Sequence, residues 1–246
     1  MKKRSAGSII LSIITFIVIY IGNNYKDEID NFISEYVFFE GTNALEIKSY
    51  NLDAIPEYDG ISEYVIINNN EPFFNENEIT TKSFEEYSKL DYLERCGTAY
   101  ANISIDLMPT EERKSIGSVK PSGWHTVKYD IVDGKYLYNR CHLIGFQLTG
   151  ENANEENLIT CTRQMNTGMM LDIENEVAQY INETKNHVLY RATPIYEDSN
   201  LLASGVLLEG LSVEDNGAGI KFNIYVYNIQ DGIEIDYSTG ESKLEG

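Results

Sequence analysis

Apolar and polar residues alternate over several short stretches of this chain, and the alternation predicts strands. Tyr64 to Asn68 (YVIIN), Ala99 to Leu107, Tyr136 to Ile144 (YLYNRCHLI) and Leu158 to Arg163 (LITCTR) have this pattern, as do His187 to Tyr196, Leu201 to Val213 and Ile220 to Gln230. Asp215-Asn216-Gly217, between the last two, predicts a hairpin. A different period governs Asn166 to Thr184. There Met169, Met170, Ile173, Val177, Tyr180 and Ile181 recur every three or four residues, which predicts an amphipathic helix. Ser83-Phe84-Glu85-Glu86 has the spacing of a capping box and predicts another helix, running to about Arg95 and stopping at Cys96-Gly97. Together these elements predict an α+β fold in which a strand-loop-strand-helix unit is embedded in an antiparallel sheet.

The N-terminus breaks this pattern. Lys2, Lys3 and Arg4 precede an uncharged run from Ser5 to Tyr25 whose centre is almost wholly apolar, the order of an export signal. No small-x-small cleavage site follows it, so an uncleaved transmembrane anchor fits better, at roughly 17 apolar residues the short end of what spans a bilayer. The basic residues place the N-terminus inside and the rest of the chain outside the membrane. The expected organisation is an anchor over 1–25, a juxtamembrane linker over 26–44 and a folded domain over 45–246. Cleavage of the first segment would instead give a secreted protein.

Composition narrows the class. With 42% hydrophobic and 24% charged residues the 246-residue chain can bury a core, and 18 tyrosines against one tryptophan favour a strand-rich one. The formal charge of −20 repels nucleic acid and anionic membranes, so any polyanion site must be a local basic pocket helped by a cation. Cys96, Cys141 and Cys161 are too few for a disulfide scaffold and too scattered for a structural zinc site.

The chain has three histidines, and so few candidate general bases. His125 follows Trp124 in the turn Lys120-Pro121-Ser122-Gly123-Trp124, and His187 opens a strand; a structural or solvent-exposed role suits both. His142 is preceded by Arg140 on the same side of a strand, where a cation can meet a substrate phosphate. On spacing alone it could equally be a hydrogen-bonded core residue.

Tyr138-Asn139-Arg140-Cys141-His142-Leu143-Ile144 resembles the DRGH-type motif of the DNA/RNA non-specific endonucleases, the ββα-metal or His-Me finger nucleases, and most resembles the exported nucleases of Gram-positive bacteria. The likeness continues through Gly145-Phe146-Gln147-Leu148-Thr149-Gly150, Asn157 to Arg163, Met165-Asn166 and Glu174, and includes Lys120 to Trp124, Asn186 to Arg191 and Ser204-Gly205-Val206. It covers Tyr92 to Gly240.

The resemblance implies a ββα-metal core in which His142 is the general base that activates water. Asn166 would be the direct protein ligand of a single hydrated Mg²⁺, for which Mn²⁺ could stand in, and Glu174 would hold one of its waters. Arg140 would lie beside the scissile phosphate. A neutral imidazole can take a proton from water near pH 7, and an Asn opening a helix would put the positive end of its dipole toward the phosphate. The sequence departs from the motif at Asn139, where Asp is usual, and at Cys141, where Gly is usual. Glu176 and Glu183 rival Glu174 on the same helix. In this fold the strands carrying Cys141 and Cys161 pair, so a disulfide between them and free thiols are both open. Glu111 to Phe146 holds six basic and four acidic residues, a local balance of +2 that marks the DNA-facing surface, with Lys120 a candidate phosphate contact. The function this implies is non-specific hydrolysis of phosphodiester bonds in DNA, with RNA a second substrate class. The alternatives are a non-catalytic surface module of the same fold, binding nucleic acid or a protein partner, and a structural or adhesive surface protein.

Overall fold

The computed structural model describes residues 55–246, so the expected anchor over 1–25 and linker over 26–44 lie outside the described residues. Among the described residues no helix is long and apolar enough to cross a membrane. The chain is α+β, built on an antiparallel sheet. Its strands are β1 (Tyr64–Ile66), β2 (Phe84–Tyr87), β3 (Ala99–Ile103), β6 (Val188–Ile195), β7 (Gly205–Ser212) and β8 (Lys221–Tyr227), ordered β1-β8-β7-β6-β3-β2. Between β3 and β6 the chain leaves the sheet to form a hairpin of β4 (Tyr138–His142) and β5 (Leu158–Thr162) and the helices α1 (Phe146–Thr149), α2 (Arg163–Thr167) and α3 (Met169–Thr184). A C-terminal ribbon of β9 (Ile233–Ile235) and β10 (Ser242–Leu244) follows.

The strand register sorts the side chains onto two faces. Ala99, Ala101, Tyr190, Ala192 and Gly210 share one, because Ala101 pairs with Tyr190 and Tyr190 with Gly210. Tyr190 apart, these residues are small and let a helix layer approach. Tyr180 on α3 donates to Asp215 Oδ2 (2.9 Å), and Tyr87 and Thr149 join their hydroxyls (3.3 Å), tying α3 and α1 to this side. The buried stripe of α3 is Met170, Ile173, Val177 and Ile181, as its apolar period predicts. On the opposite face Val65, Leu207, Tyr225 and Tyr227 form a second core, against which Ile55, Tyr58 and Phe73 pack. The buried Glu209 on this side is paired bidentately with Arg191 (2.7 and 2.9 Å), so its charge is compensated.

Two sequence expectations fail locally. Phe84 to Tyr87 is the edge strand β2, not the start of a helix. The capping residue is diverted: Ser83 Oγ donates to Asp106 (2.7 Å) while Phe84 stacks edge-on against Tyr100 (5.0 Å), and pairing with β3 outweighs the local helix signal. Asp91 then closes a turn by accepting the Leu93 and Arg95 amides (2.8 and 3.0 Å), which ends any continuation. The helix expected over Asn166 to Thr184 is also two helices, broken at Gly168. Asn166 therefore sits in the last turn of α2 rather than opening a helix, and the expected dipole contribution at that residue does not apply.

Candidate active site

The β4–β5 hairpin positions His142. Tyr138, Arg140 and His142 alternate onto one face, and His142 pairs with Leu158 at the hairpin's loop end. Just beyond, fully buried Asn157 clamps the chain. Its Nδ2 donates to the Ile144 carbonyl and its Oδ1 accepts the Ile144 amide, both at 2.9 Å, while Leu143 N donates to Asn157 O (2.9 Å). Neither end of the loop between the strands can then drift, and that loop carries Asn152. The carbonyl of Asn152 lies 2.8 Å from His142 Nε2.

That contact sets the tautomer. A carbonyl only accepts, so Nε2 carries the hydrogen and the neutral ring offers its lone pair at Nδ1. Nδ1 faces Arg113 Nη2 at 3.5 Å. Burial lowers the His142 pKa, the hydrogen bond to Asn152 opposes that shift, and the Arg113 charge adds to it. The imidazole is thus neutral near pH 7 and able to accept a proton.

Glu174 projects from α3 toward the turn after β4. A Cβ at position 145 would collide with the Glu174 carboxylate, so glycine is required for the helix and hairpin to approach this closely. Burial raises the Glu174 pKa to about 7, while Gln147 and Arg113 pull it down. Arg113 is therefore the cation common to His142 and Glu174. Of the rivals, Glu183 is exposed and accepts from Gln179 (2.9 Å), and Glu176 is raised by burial alone.

Asn166 is half-buried in α2 and its side chain makes no hydrogen bond among the described residues, leaving its amide oxygen open. No hydrogen bond joins its side chain to His142 or Glu174 among the described residues. Among the described residues no group of three His, Cys, Asp or Glu side chains forms a metal cage. An open amide oxygen and a carboxylate are hard oxygen donors of the kind that hold a cation keeping most of its water, so their chemistry suits Mg²⁺.

Arg140 makes its contacts with the loop before Trp124 and with the Trp124 ring. Its Nε donates to Val119 O, its Nη2 to Gly117 O (2.9 Å), and its guanidinium lies 3.9 Å over the Trp124 ring. These contacts hold the loop that presents the exposed Lys120. The loop is anchored from the far side by Ser122 donating to Leu201 O (2.7 Å). His125 lies 3.1 Å from Thr239 O and His187 is paired with Glu214 (2.6 Å), so neither shares the His142 site.

The family model for DNA/RNA non-specific endonucleases matches residues 75–213, which include every residue of this site. The chain belongs to that family. A curated deoxyribonuclease of Streptococcus dysgalactiae subsp. equisimilis is 33% identical over 110 residues, 43% of this chain and 32% of the relative, so the match spans about a third of that protein's length. Among solved structures, NucA from Streptococcus agalactiae with magnesium ion bound is 26% identical with a TM-score of 0.63, covering 72% of this chain and 85% of NucA. The Sda1 nuclease with bound zinc ion is 31% identical with a TM-score of 0.57, covering 66% of this chain and 80% of Sda1.

Within this nuclease fold, Arg113 is the residue that sequence reasoning passed over. It was one basic residue among six, in an irregular loop far from His142 in sequence, and no period or spacing singles it out. The cysteine question is answered by the hairpin: Cys141 and Cys161 are disulfide-bonded, Cα to Cα 5.8 Å, on the face turned away from His142. Cys96 is buried and free, with burial pushing its thiol up to about 12.

Proposed function

We propose that this chain is a metal-dependent endonuclease that hydrolyses phosphodiester bonds of DNA, and of RNA as a second substrate class, without sequence preference. The observation that carries the reading is the Asn152 carbonyl 2.8 Å from His142 Nε2, which assigns the hydrogen to Nε2 and leaves Nδ1 the lone pair. That Nδ1 takes the proton from an attacking water, and the Asn152 carbonyl holds the ring and stabilises the imidazolium that forms. Arg113, within reach of Nδ1, places a positive charge where the phosphate's charge builds up. A Mg²⁺ held by Asn166 and, through water, by Glu174 would neutralise the phosphate and the leaving oxygen. Lys120, on the loop fixed by Arg140 and Trp124, supplies a backbone-phosphate contact that carries no base information.

The magnesium ion bound to NucA supports the choice of metal, although Sda1 holds zinc. The disulfide beneath His142 suits an oxidising, extracytoplasmic setting, in keeping with an export segment at Ser5 to Tyr25 that tethers the enzyme to the membrane. Plasmid degradation with and without EDTA, by the wild type and His142→Ala, tests the reading. Cleavage should require both the metal and His142. Binding without cleavage would leave the non-catalytic module in its place.

A further inference from the structure

Arg113 lies in the long connection between β3 and β4, which forms no helix or strand. Thr110 to Ser115 are all exposed, so no core packing fixes the arginine there. This strap is held at its two ends: Pro109 lies against Gly150, and Gly117 and Val119 accept from Arg140. Between those ends, one backbone hydrogen bond among the described residues ties it to the hairpin. Lys114 N donates to Oδ1 of Asn152 (3.1 Å).

Asn152 is also the residue whose carbonyl faces His142 Nε2 at 2.8 Å. Any residue would supply that carbonyl, so it does not account for the side chain. The other asparagines of the loop have separate tasks: Asn154 accepts from the Glu156 amide (3.0 Å) and Asn157 clamps Ile144. The Asn152 amide oxygen instead reaches across to the strap. The N–H it accepts belongs to the planar peptide unit that joins Arg113 to Lys114, and holding that plane fixes the backbone from which the Arg113 side chain departs. Arg113 Nη2 then lies 3.5 Å from His142 Nδ1. One residue thus grips the imidazole at one ring nitrogen through its backbone and, through its side chain, sets the cation that faces the other.

We propose that Asn152 is a positioning residue for Arg113: its side chain holds the strap in the register that brings the guanidinium and the His142 ring to the same phosphate. The inference rests on the roles of Arg113 and His142 given above. It also accounts for the preorganisation of an exposed arginine on an irregular loop, since the loop is tied to the hairpin that orients the histidine.

The test compares Asn152→Ala, Arg113→Gln and the double variant in the full-length protein with Mg²⁺ and plasmid DNA, as rates per folded molecule, and follows the His142 ring by nitrogen NMR. Arg113 is exposed and Asn152 half-buried, so the variants should fold. Asn152→Ala should lower kcat by about 10-fold with KM little changed, because the group it misplaces acts as charge builds up in the transition state. Its His142 signals should keep the Nε2–H form, since the carbonyl at residue 152 remains. The double variant should be no slower than Arg113→Gln alone. A near-normal rate in Asn152→Ala, with Arg113→Gln impaired, would make the Lys114 bond incidental and overturn the proposal. So would a raised KM at unchanged kcat, additive losses in the double variant, or loss of the Nε2–H form, which would mean that Asn152 acts on DNA binding or on His142 and not through Arg113. If Arg113→Gln itself cleaves normally, the role of Arg113 fails first, and that of Asn152 with it.

Discussion

His142 Nε2 lies 2.8 Å from the carbonyl oxygen of Asn152, a residue of the loop that the His142 strand itself opens. The His142 ring is therefore oriented by its own hairpin, and among the described residues no carboxylate takes that part. This removes the difficulty raised by Asn139 standing where the motif usually has Asp: residue 139 faces away from His142, and a backbone carbonyl does the orienting. His142→Ala should lower the cleavage rate by ~10²–10⁴-fold, the usual scale for losing a general base. Circular dichroism should show the fold retained. Near-normal activity would remove His142 from the mechanism.

The same geometry sets the acid limb of the pH profile. With His142 as the proposed general base, activity needs its neutral form, and its pKa is lowered by burial and, after the opposing hydrogen bond to Asn152, by the Arg113 charge. Cleavage should thus persist below the ordinary histidine range and fall as pH drops through the lowered value. Arg113→Gln removes one of the lowering influences, so its acid limb should move to higher pH while its maximal rate drops. A profile with the limb unmoved would mean that Arg113 does not face the base in solution.

Glu174 gives a stability prediction of definite sign. Its folded pKa is raised by burial to about 7 from an ordinary 4.5, so between those values the folded state binds more protons than the unfolded one. Metal-free stability should decline as pH rises through that window. Glu174→Gln should abolish the decline and raise the unfolding free energy in EDTA at pH 8 by roughly 1–3 kcal/mol once the solvent reaching the half-buried side chain is allowed for, with a higher Tm. A variant that is less stable than wild type at pH 8 would show that the ionised carboxylate is already compensated within the protein.

Most of the sheet, the hairpin and α3 could be read from the residues because each has a regular period and buries one face of it. Ile173, Val177 and Ile181 mark the helix's inner stripe in the sequence and are buried in the fold. Where local and distant signals conflict, the distant one prevails, as at Ser83, whose hydroxyl serves Asp106 instead of a helix amide. Arg113 shows the other limit. Its importance comes from a loop crossing to His142, and a loop has no period to betray where it lands. Arg140 was legible as a site residue by motif, but not that its guanidinium would be committed to Val119 and Gly117.

That commitment separates the effects of two neighbouring cations. Lys120→Glu should weaken binding to all DNA sequences alike, and Lys120→Ala should lower the slope of log affinity against log salt by about one phosphate contact. Arg140→Ala should instead lower Tm and loosen the Gly117 to Trp124 loop, detectable as a red shift of the single tryptophan's fluorescence, because it removes two hydrogen bonds and a cation–π stack. If Arg140→Ala changes DNA affinity with Trp124 emission and Tm unaltered, Arg140 is a phosphate contact after all.

The disulfide can be settled by counting thiols. Cys141 and Cys161 lie on adjacent strands and are both buried, at 1% and 0% exposure, so a reductant cannot reach the bond in the folded protein. The bond closes a loop that contains α1 and Asn152, the part of the chain that orients His142. Unfolded without reductant, the protein should show one thiol, that of Cys96; three would eliminate the bond. Paired replacement by Cys141→Ala and Cys161→Ala should cost about 3 kcal/mol through the wider unfolded ensemble. Because the bond lies on the face opposite His142, the rate per folded molecule should change far less than Tm. A variant that keeps its Tm but loses activity would show that the bond acts on His142 rather than on the stability of the hairpin.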